Sequence, residues 1–321
     1  MSTEPAGGPR HYRVTHRTTY SYGAEMLDGY SVANLLARPT PTQRVLSTRL
    51  TTQPDVDERD DRVDVFGNNV VQLGIHRPHT ELIVDVETEA IVEPMLPPRI
   101  DPPWEQAAQA TAALRGPASI AVMPFLAPSR FVPLRPLLDP DGRQTFDPRV
   151  ELRDSFTDCF VPGSSILDVI DRVCQSIFRG FRFDPTSTTV STPLLDVLRQ
   201  RSGVCQDFAH LAVGVFRANG LAARYVSGYI ETEPPPGEPK TIGADASHAW
   251  VSVWVPDHGW VDLDPTNGIV GPDRHVTVGW GRDYADVAPI RGVVIGPTTT
   301  QRLDVAVDVV RLDGAGAPVV G

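Results

Sequence analysis

The sequence places a cysteine at the start of an apolar repeat in the segment Ser202-Gly203-Val204-Cys205-Gln206-Asp207-Phe208. Beyond the cysteine, apolar residues recur at helical spacing, namely Phe208, Leu211, Ala212, Val215 and Phe216. Asn219-Gly220 is a typical helix stop, so a helix is predicted to begin at Cys205. The positive end of a helix favours a thiolate, and its free N–H groups can stabilise an oxyanion. The alternative is that Cys205 is a small buried hydrophobic residue, as most free cysteines are.

Length and charge limit the classes of protein that fit. The chain has 321 residues, which suits two domains or one large domain with an appendage, and its net charge is −11. An acidic surface repels phosphate backbones and anionic lipid, so we expect neither nucleic acid nor a membrane as partner. No stretch approaches the ~20 apolar residues of a membrane span, and residues 1–10 lack the apolar region of a secretory signal. We therefore expect a cytoplasmic protein.

The three cysteines predict free thiols. Their number is odd and no CxxC pair is present, so a disulfide framework is not expected. Zinc needs three or four ligands at defined spacing, and Cys159, Cys174 and Cys205 lack that spacing. HExxH, P-loop and GxSxG motifs are absent as well. The sequence predicts no metal and no cofactor.

The N-terminal part reads as β structure. Tyr12, Val14 and His16 alternate with polar residues, and residues 82–87 place apolar side chains on one face and acids on the other. Phe66-Gly67-Asn68-Asn69 lies between two apolar runs and predicts a hairpin turn, because Gly and Asn tolerate positive φ. We expect a small β-sandwich over residues 11–93, preceded by a disordered tail at residues 1–10.

The remainder predicts a linker and an α+β core. Prolines punctuate residues 94–150, which we interpret as a linker with short helices, one of them near 105–114. Residues 151–321 are predicted to form the core. Its helices cover 166–180, with Ser164 or Ser165 as N-cap, and 194–201. Antiparallel strands then follow at 223–230, 249–255 and 259–263, with a last strand near 303–309.

Two further residues could complete a site with Cys205. His248 stands near the start of a predicted strand, and neutral imidazole is a suitable base for a thiol. Asp264 ends the next strand just before Pro265, where a carboxylate could orient the imidazole. Each has a simpler interpretation, an exposed loop histidine and ordinary turn chemistry. Asn267 is the rival of Asp264 for the orienting role.

Together the three motifs resemble a known family. Gly203-Val204-Cys205-x-Asp207, Ser247-His248-Ala249-Trp250 and Gly259-Trp260-x-x-x-Asp264-Pro265-Thr266 resemble the core motifs of the transglutaminase-like superfamily, whose active core is similar to that of papain. The region around residues 11–93 resembles the β-rich N-terminal part of its bacterial members. The resemblance implies Cys205, His248 and Asp264 as a catalytic triad, without a metal.

Residues around these motifs have less specific interpretations. Asp207 could cap the helix or steer a cationic partner, and capping is the preferred role. His210 is interpreted as structural. Trp250 and Trp260 are expected to form packing walls around the imidazole that exclude water.

Two hypotheses for function follow. The first is a cysteine-dependent amide hydrolase (protease or amidase) or acyltransferase that forms a thioester on Cys205 with a peptide or other amide-bearing substrate. The second is a non-catalytic binding or scaffold protein on the same fold, with the N-terminal region as interaction surface. Presence of all three motif residues favours the first.

Overall fold

The computed structural model describes residues 8–232, 247–297, 300–313 and 316–319. Most of the predicted N-terminal tail therefore lies outside the described residues, and its last residue, Arg10, already begins a strand. Among the described residues, no helix is long and apolar enough to cross a lipid bilayer.

The N-terminal part contains six strands joined by short turns. They are β1 (Arg10–Met26), β2 (Asp28–Ala33), β3 (Gln43–Gln53), β4 (Glu58–Val63), β5 (Asn69–Ile75) and β6 (His79–Val92). The predicted alternation holds in β1, where Tyr12, Val14 and His16 are buried. The predicted hairpin turn joins β4 to β5, with Gly67 at a φ of 80° that favours glycine.

Short elements connect this part to the core. They are α1 (Trp104–Ala113), α2 (Pro117–Val122), β7 (Leu137–Leu138), β8 (Gln144–Phe146) and α3 (Pro148–Ser155), with 3-10 turns at Met123–Leu126 and Thr157–Cys159. The prolines explain why these helices stay short, since proline has no N–H to donate within a helix.

The core is a helix-and-sheet unit. Its elements are α4 (Ile166–Gly180), β9 (Arg182–Phe183), α5 (Leu194–Gln200), β10 (Ser202–Gly203), α6 (Cys205–Ala218), β11 (Ala223–Ile230), β12 (Ser247–Val255), β13 (Gly259–Asp264), β14 (Ile269–Val270), β15 (His275–Gly281) and α7 (Tyr284–Val287). The side chain of Ser165 caps α4 by accepting from the backbone N–H of Asp168 at 3.1 Å. The predicted α+β fold class is confirmed.

A five-stranded sheet forms the floor of the core, in the order β14-β13-β12-β11-β15. Its neighbouring strands run antiparallel. Alternate residues of β12, Ala249, Val251, Val253 and Val255, belong to the same apolar cluster as Phe208, Leu211 and Val215 of α6. Burial of α6 on almost every side fixes the position of its first residue, Cys205.

The last two strands differ from the predicted division of the chain. Residues 151–321 were assigned to the core, but β16 (Ile290–Ile295) and β17 (Gln301–Leu312) pair with β2 and β1. They complete two four-stranded sheets, β17-β1-β6-β3 and β16-β2-β5-β4, which enclose an apolar cluster. The prediction that they belong to the core is wrong, because alternation identifies a strand but not its partner.

Two side-chain amides fasten the sandwich to the edge of the core sheet. Gln43 donates to the carbonyl of Thr277 at 2.7 Å and accepts from its N–H at 2.7 Å. Asn68 does the same for Trp280, at 2.7 and 2.9 Å. Each amide satisfies both polar groups of one residue on edge strand β15, which sets how the two layers meet.

Candidate active site

Cys205 is the first residue of α6, and the carboxylate of Asp207 stabilises the N-terminus of this helix. Asp207 accepts the backbone N–H of Val204 at 2.9 Å and the hydroxyl of Thr188 at 2.6 Å. A Cβ on Gly203 would lie 2.7 Å from Oδ2 of Asp207, so only glycine fits there. The capping role predicted for Asp207 is the one the structure shows. Cys205 therefore stands at the N–H end of a fourteen-residue helix.

Exposure separates Cys205 from the other two cysteines. All three are free, but Cys159 and Cys174 are buried, whereas Cys205 is half-buried. Burial raises the pKa of Cys174 to about 12, with the nearby charge of Asp264 acting in the same direction. Cys174 is therefore a thiol at neutral pH, and Cys205 is the cysteine that a reagent can reach.

His248 and Asp264 form a buried pair across neighbouring strands. Nε2 of His248 lies 2.7 Å from Oδ2 of Asp264, and the two residues are 8% and 0% exposed. Burial opposes the charge of the imidazole, but hydrogen bonds to Asp264 and Cys205 outweigh it and raise the pKa of His248 to about 10. The same bond helps to hold the pKa of Asp264 far below its usual range, against the effect of burial.

The thiol of Cys205 is the second partner of the imidazole. Because Nε2 of His248 is bonded to Asp264, Nδ1 is the ring nitrogen left for the sulfur. A histidine beside a thiol can act as its base, and the thiolate is the nucleophilic form of cysteine. The three residues named from the sequence thus interact, His248 with Asp264 by a hydrogen bond and Cys205 with His248 through its effect on the imidazole pKa.

Further donors surround the carboxylate of Asp264. Its Oδ1 accepts the backbone N–H groups of Thr266 and Asn267, at 2.9 and 3.2 Å. Its Oδ2 accepts the side-chain amide of Asn267 at 2.7 Å. Asn267, the rival for the orienting role, therefore supports Asp264 instead of touching His248. Donors on every side keep the carboxylate ionised and fix its direction.

A second histidine, which the sequence interpretation missed, shares the same carboxylate. Nε2 of His275 lies 2.8 Å from Oδ2 of Asp264. Burial lowers the pKa of His275, and the bond to Asp264 opposes this only in part, so His275 is neutral and donates from Nε2. Its other ring nitrogen, Nδ1, is buried and has no partner among the described residues. The alternation of Val276 and Val278 could have predicted a strand beginning at this histidine.

Trp250 packs against both imidazoles. Its ring stacks on His248 at 6.2 Å and meets His275 edge-on at 4.9 Å, while its indole N–H donates to Asp262 at 3.2 Å. Gly228 makes room for it, since a Cβ there would lie 2.6 Å from the indole ring. The wall predicted from Trp250 is present.

Trp260 lies elsewhere. It pairs across the sheet with Trp254 and packs edge-on against Phe125 at 5.2 Å. The expectation that it walls the imidazole is wrong, because Trp260 stands at the opposite end of β13 from Asp264. His210 is structural as predicted: it is buried, stacks on Phe131 and accepts the backbone N–H of Tyr284 at 3.1 Å.

The site residues include the one group that could hold a metal ion among the described parts of the chain. Ligand atoms of His248, Asp264 and His275 lie within 4.8 Å of one another. Two histidines and a carboxylate are a suitable donor set for zinc. Nε2 of His248 and Nε2 of His275 already bond to Asp264, so a metal there would replace the hydrogen bonds that orient both imidazoles.

Comparison with known proteins gives two family matches. Residues 160–265 match the model of the transglutaminase-like superfamily, and residues 12–93 match the bacterial transglutaminase-like N-terminal region. An uncharacterized protein of Mycobacterium tuberculosis (strain ATCC 25618 / H37Rv) is 38% identical over 320 residues, which is 97% of this chain and 96% of that protein.

A named enzyme and a solved structure are also similar. A protein-glutamine gamma-glutamyltransferase of Pseudomonas aeruginosa is 33% identical over 107 residues, which is 31% of this chain and 16% of that protein. A crystal structure described as that of a candidate cysteine protease from Cytophaga hutchinsonii superposes with a TM-score of 0.71 at 21% identity, covering 99% of this chain and 96% of that one. That likeness shows a shared fold.

Proposed function

Because the chain belongs to the transglutaminase-like superfamily, we propose that it is a cysteine-dependent amide hydrolase or acyltransferase that works through a thioester on Cys205. The observations that carry the proposal are the hydrogen bond between His248 and Asp264 and the interaction with Cys205 that helps to raise the pKa of His248. Their chain order and their elements are those of thiol enzymes with a nucleophile at a helix start.

The chemistry that these residues support has two steps. The thiolate of Cys205 attacks the carbonyl carbon of an amide, and the free N–H groups at the start of α6 can stabilise the negative oxygen. His248, held as imidazolium by Asp264, gives its Nδ1 proton to the leaving amine, and a thioester remains. His248 then takes a proton from water or from an amine as that group attacks the thioester, which releases the acid or the new amide and restores the imidazolium–thiolate pair.

The acyl acceptor decides between hydrolysis and cross-linking. We propose hydrolysis as the main outcome, because water is in vast excess unless a site is closed. The Pseudomonas relative is named for transfer of the γ-glutamyl group of protein-bound glutamine. That name supports a carboxamide as the acyl donor class, so glutamine side chains and peptide bonds belong in the first substrate screen.

Alkylation tests the nucleophile without a known substrate. Brief treatment with iodoacetamide at neutral pH, followed by peptide mapping, is expected to label Cys205 ahead of Cys159 and Cys174. The two buried cysteines serve as controls within the same chain. Equal or slower labelling of Cys205 would contradict the proposal.

A substrate screen separates the enzyme from a scaffold. Peptides and amides are incubated with the protein and with Cys205→Ala, with and without an added primary amine. The expected result is a covalent acyl adduct on Cys205 by mass spectrometry and product release that Cys205→Ala lacks. Retained partner binding in Cys205→Ala without acyl chemistry in the wild type would favour the non-catalytic alternative.

The proposal also covers where the protein is located and which class of partner it binds. Three free cysteines suit a reducing compartment, which supports the cytoplasm as its location. The net charge of −11 supports a peptide or small amide as partner, in preference to nucleic acid or an anionic membrane. No metal or cofactor takes part in the proposed steps.

A further inference from the structure

A cavity of about 520 Å³ lies between the sandwich and the core sheet. Residues 40–42 and 93–96 line it from the sandwich side, and Arg224, Trp260, Asp262 and Trp280 line it from the sheet. Cys205, His248 and Asp264 do not line it. The proposed thioester chemistry therefore does not use this cavity.

Arg224 is a buried cation in the wall of the cavity. Arg224 is 8% exposed, and its guanidinium lies 4.3 Å from the ring centre of Trp260 and 3.7 Å from that of Trp280. Its Nε is buried without a hydrogen-bond partner among the described residues. Burial lowers the pKa of Arg224 to about 9, although the charge of Asp262 opposes this. A charge taken out of water without a partner is costly.

Two other arginines of the interior, the buried Arg217 and the half-buried Arg38, donate hydrogen bonds to described residues, although Nε of Arg38 has no partner among them. Arg217 donates to the carbonyls of Ala223, Ala127 and Arg282. Arg38 stacks on Trp280 as well, but it donates to Phe66 and to Asn68 at 2.8 Å. Arg224 differs from both because it lines an open cavity and has no donor bond to any described residue.

The acids near Arg224 make no direct bond to its guanidinium within the described residues. Asp262 is occupied, since it accepts from the indole N–H of Trp250 and from the hydroxyl of Ser252. It forms no ion pair with Arg224 within the described part of the chain. Glu93 lines the cavity too, but its side chain is exposed at the sandwich side. The guanidinium of Arg224 therefore lies between two aromatic rings, and its N–H groups are available to a ligand.

We propose that this cavity is a second binding site, which takes a small carboxylate with an apolar or aromatic body. The carboxylate pairs with the guanidinium of Arg224, the geometry that arginine favours for carboxylates. The body of the ligand lies along Trp260, Met95 and the edge of the Trp280 ring. The site is independent of the proposed thioester chemistry, because none of the catalytic residues lines it.

Binding of matched acid and amide probes tests this proposal. The purified full chain is titrated with 3-phenylpropionate and with its neutral analogue 3-phenylpropionamide, followed by calorimetry and by tryptophan fluorescence. The acid is expected to bind at least about tenfold more tightly than the amide, the value of one charge-assisted pair. Absence of acid binding at millimolar concentration, or equal affinity for both probes, would overturn the proposal.

Variants locate the site and keep the test independent of folding. Arg224→Met is expected to lose about tenfold or more in affinity for the acid and nothing for the amide. Arg130→Met is the control, since Arg130 is an exposed arginine whose guanidinium lies 5.4 Å from the ring centre of Phe131, outside the cavity. If Arg224→Met does not fold, Glu93→Gln provides the test, because loss of a negative charge should tighten acid binding about twofold or more. The site would be rejected if Glu93→Gln leaves the affinity for the acid unchanged and Arg224→Met either leaves it unchanged too or does not fold.

Discussion

His275 donates from Nε2 to Oδ2 of Asp264 at 2.8 Å, onto the same oxygen that orients His248. The two imidazoles differ in charge, because the pKa of His275 is lowered by burial while that of His248 is raised to about 10. One carboxylate therefore holds a neutral donor and an imidazolium. We infer that His275 is a positioning residue, which shares the charge of Asp264 and so tunes how strongly His248 keeps its proton.

Replacing His275 should change the pH profile of turnover. In His275→Phe the carboxylate loses one donor and interacts more strongly with His248, so the alkaline limb of kcat/KM is expected to move to higher pH. His275→Gln keeps a side-chain N–H and serves as the matched control, with a limb near that of the wild type. The profile of kcat/KM against pH on an amide substrate measures this. A purely structural role would lower activity in both variants without moving the limb.

Asp264→Asn should disable the site while leaving the sulfur in place. An amide cannot fix the imidazolium as a carboxylate does, and it can hold the wrong tautomer, so kcat/KM should fall about a thousandfold. Asp262→Asn is the control, because Asp262 bonds to Trp250 and Ser252 and not to His248. Near-normal turnover in Asp264→Asn would show that His248 does not depend on this carboxylate.

Deprotonation of His248 should weaken both activity and folding at alkaline pH. Its pKa is raised above the usual 6.5, so its contribution to stability is fully present below pH 6.5 and is lost as pH rises towards about 10. Over the same range the leaving amine loses its proton donor. Denaturant titrations at pH 7 and 9.5 should show a smaller loss of unfolding free energy in His248→Gln than in the wild type. An equal loss of unfolding free energy in the wild type and in His248→Gln would contradict the raised pKa of His248.

Gly228→Ala should damage the packing under Trp250. A Cβ at this position would lie 2.1 Å from the carbonyl oxygen of Val276 and 2.6 Å from the indole ring. We expect a loss of about 3 kcal/mol in unfolding free energy and slower alkylation of Cys205, since His248 stacks on that ring. Gly29→Ala is the control, because its Cβ would make only ordinary contact at 3.4 Å. Similar urea midpoints for the two variants would refute the packing argument.

Buried neutral histidines predict loss of stability in mild acid. Burial lowers the pKa of His16 to about 4, with Asp85 opposing only in part. The unfolded chain binds this proton near pH 6.5, so stability falls as pH drops from 6.5 to 4, by at most about 3 kcal/mol. His16→Gln should remove much of this pH dependence, and the exposed His258→Gln should not. Urea unfolding at pH 6.5 and 4.5 measures the difference, and identical slopes in all three proteins would be inconsistent with a buried neutral His16.

The local features of this protein could be predicted from its amino-acid sequence. The helix that begins at Cys205, the hairpin turn at Gly67 and the strands that carry His248 and Asp264 follow from hydrophobic period, caps and turn residues, all of which act over a few residues. The residues of the three motifs also resemble those of the family to which the chain belongs.

Which distant segments pack together could not be predicted from local sequence and is seen in the folded chain. Strand β17 joins β1 in the sandwich although it follows the core in the chain, and no local pattern specifies that partner. Local patterns also do not specify that His275 bonds to Asp264 or that Trp260 packs on Phe125 and not on His248. The position of Arg224 in the wall of a cavity is likewise a result of tertiary packing. Strand pairing and side-chain convergence are set by the free energy of the whole packed chain, so residues far apart in sequence become neighbours only when both layers are complete.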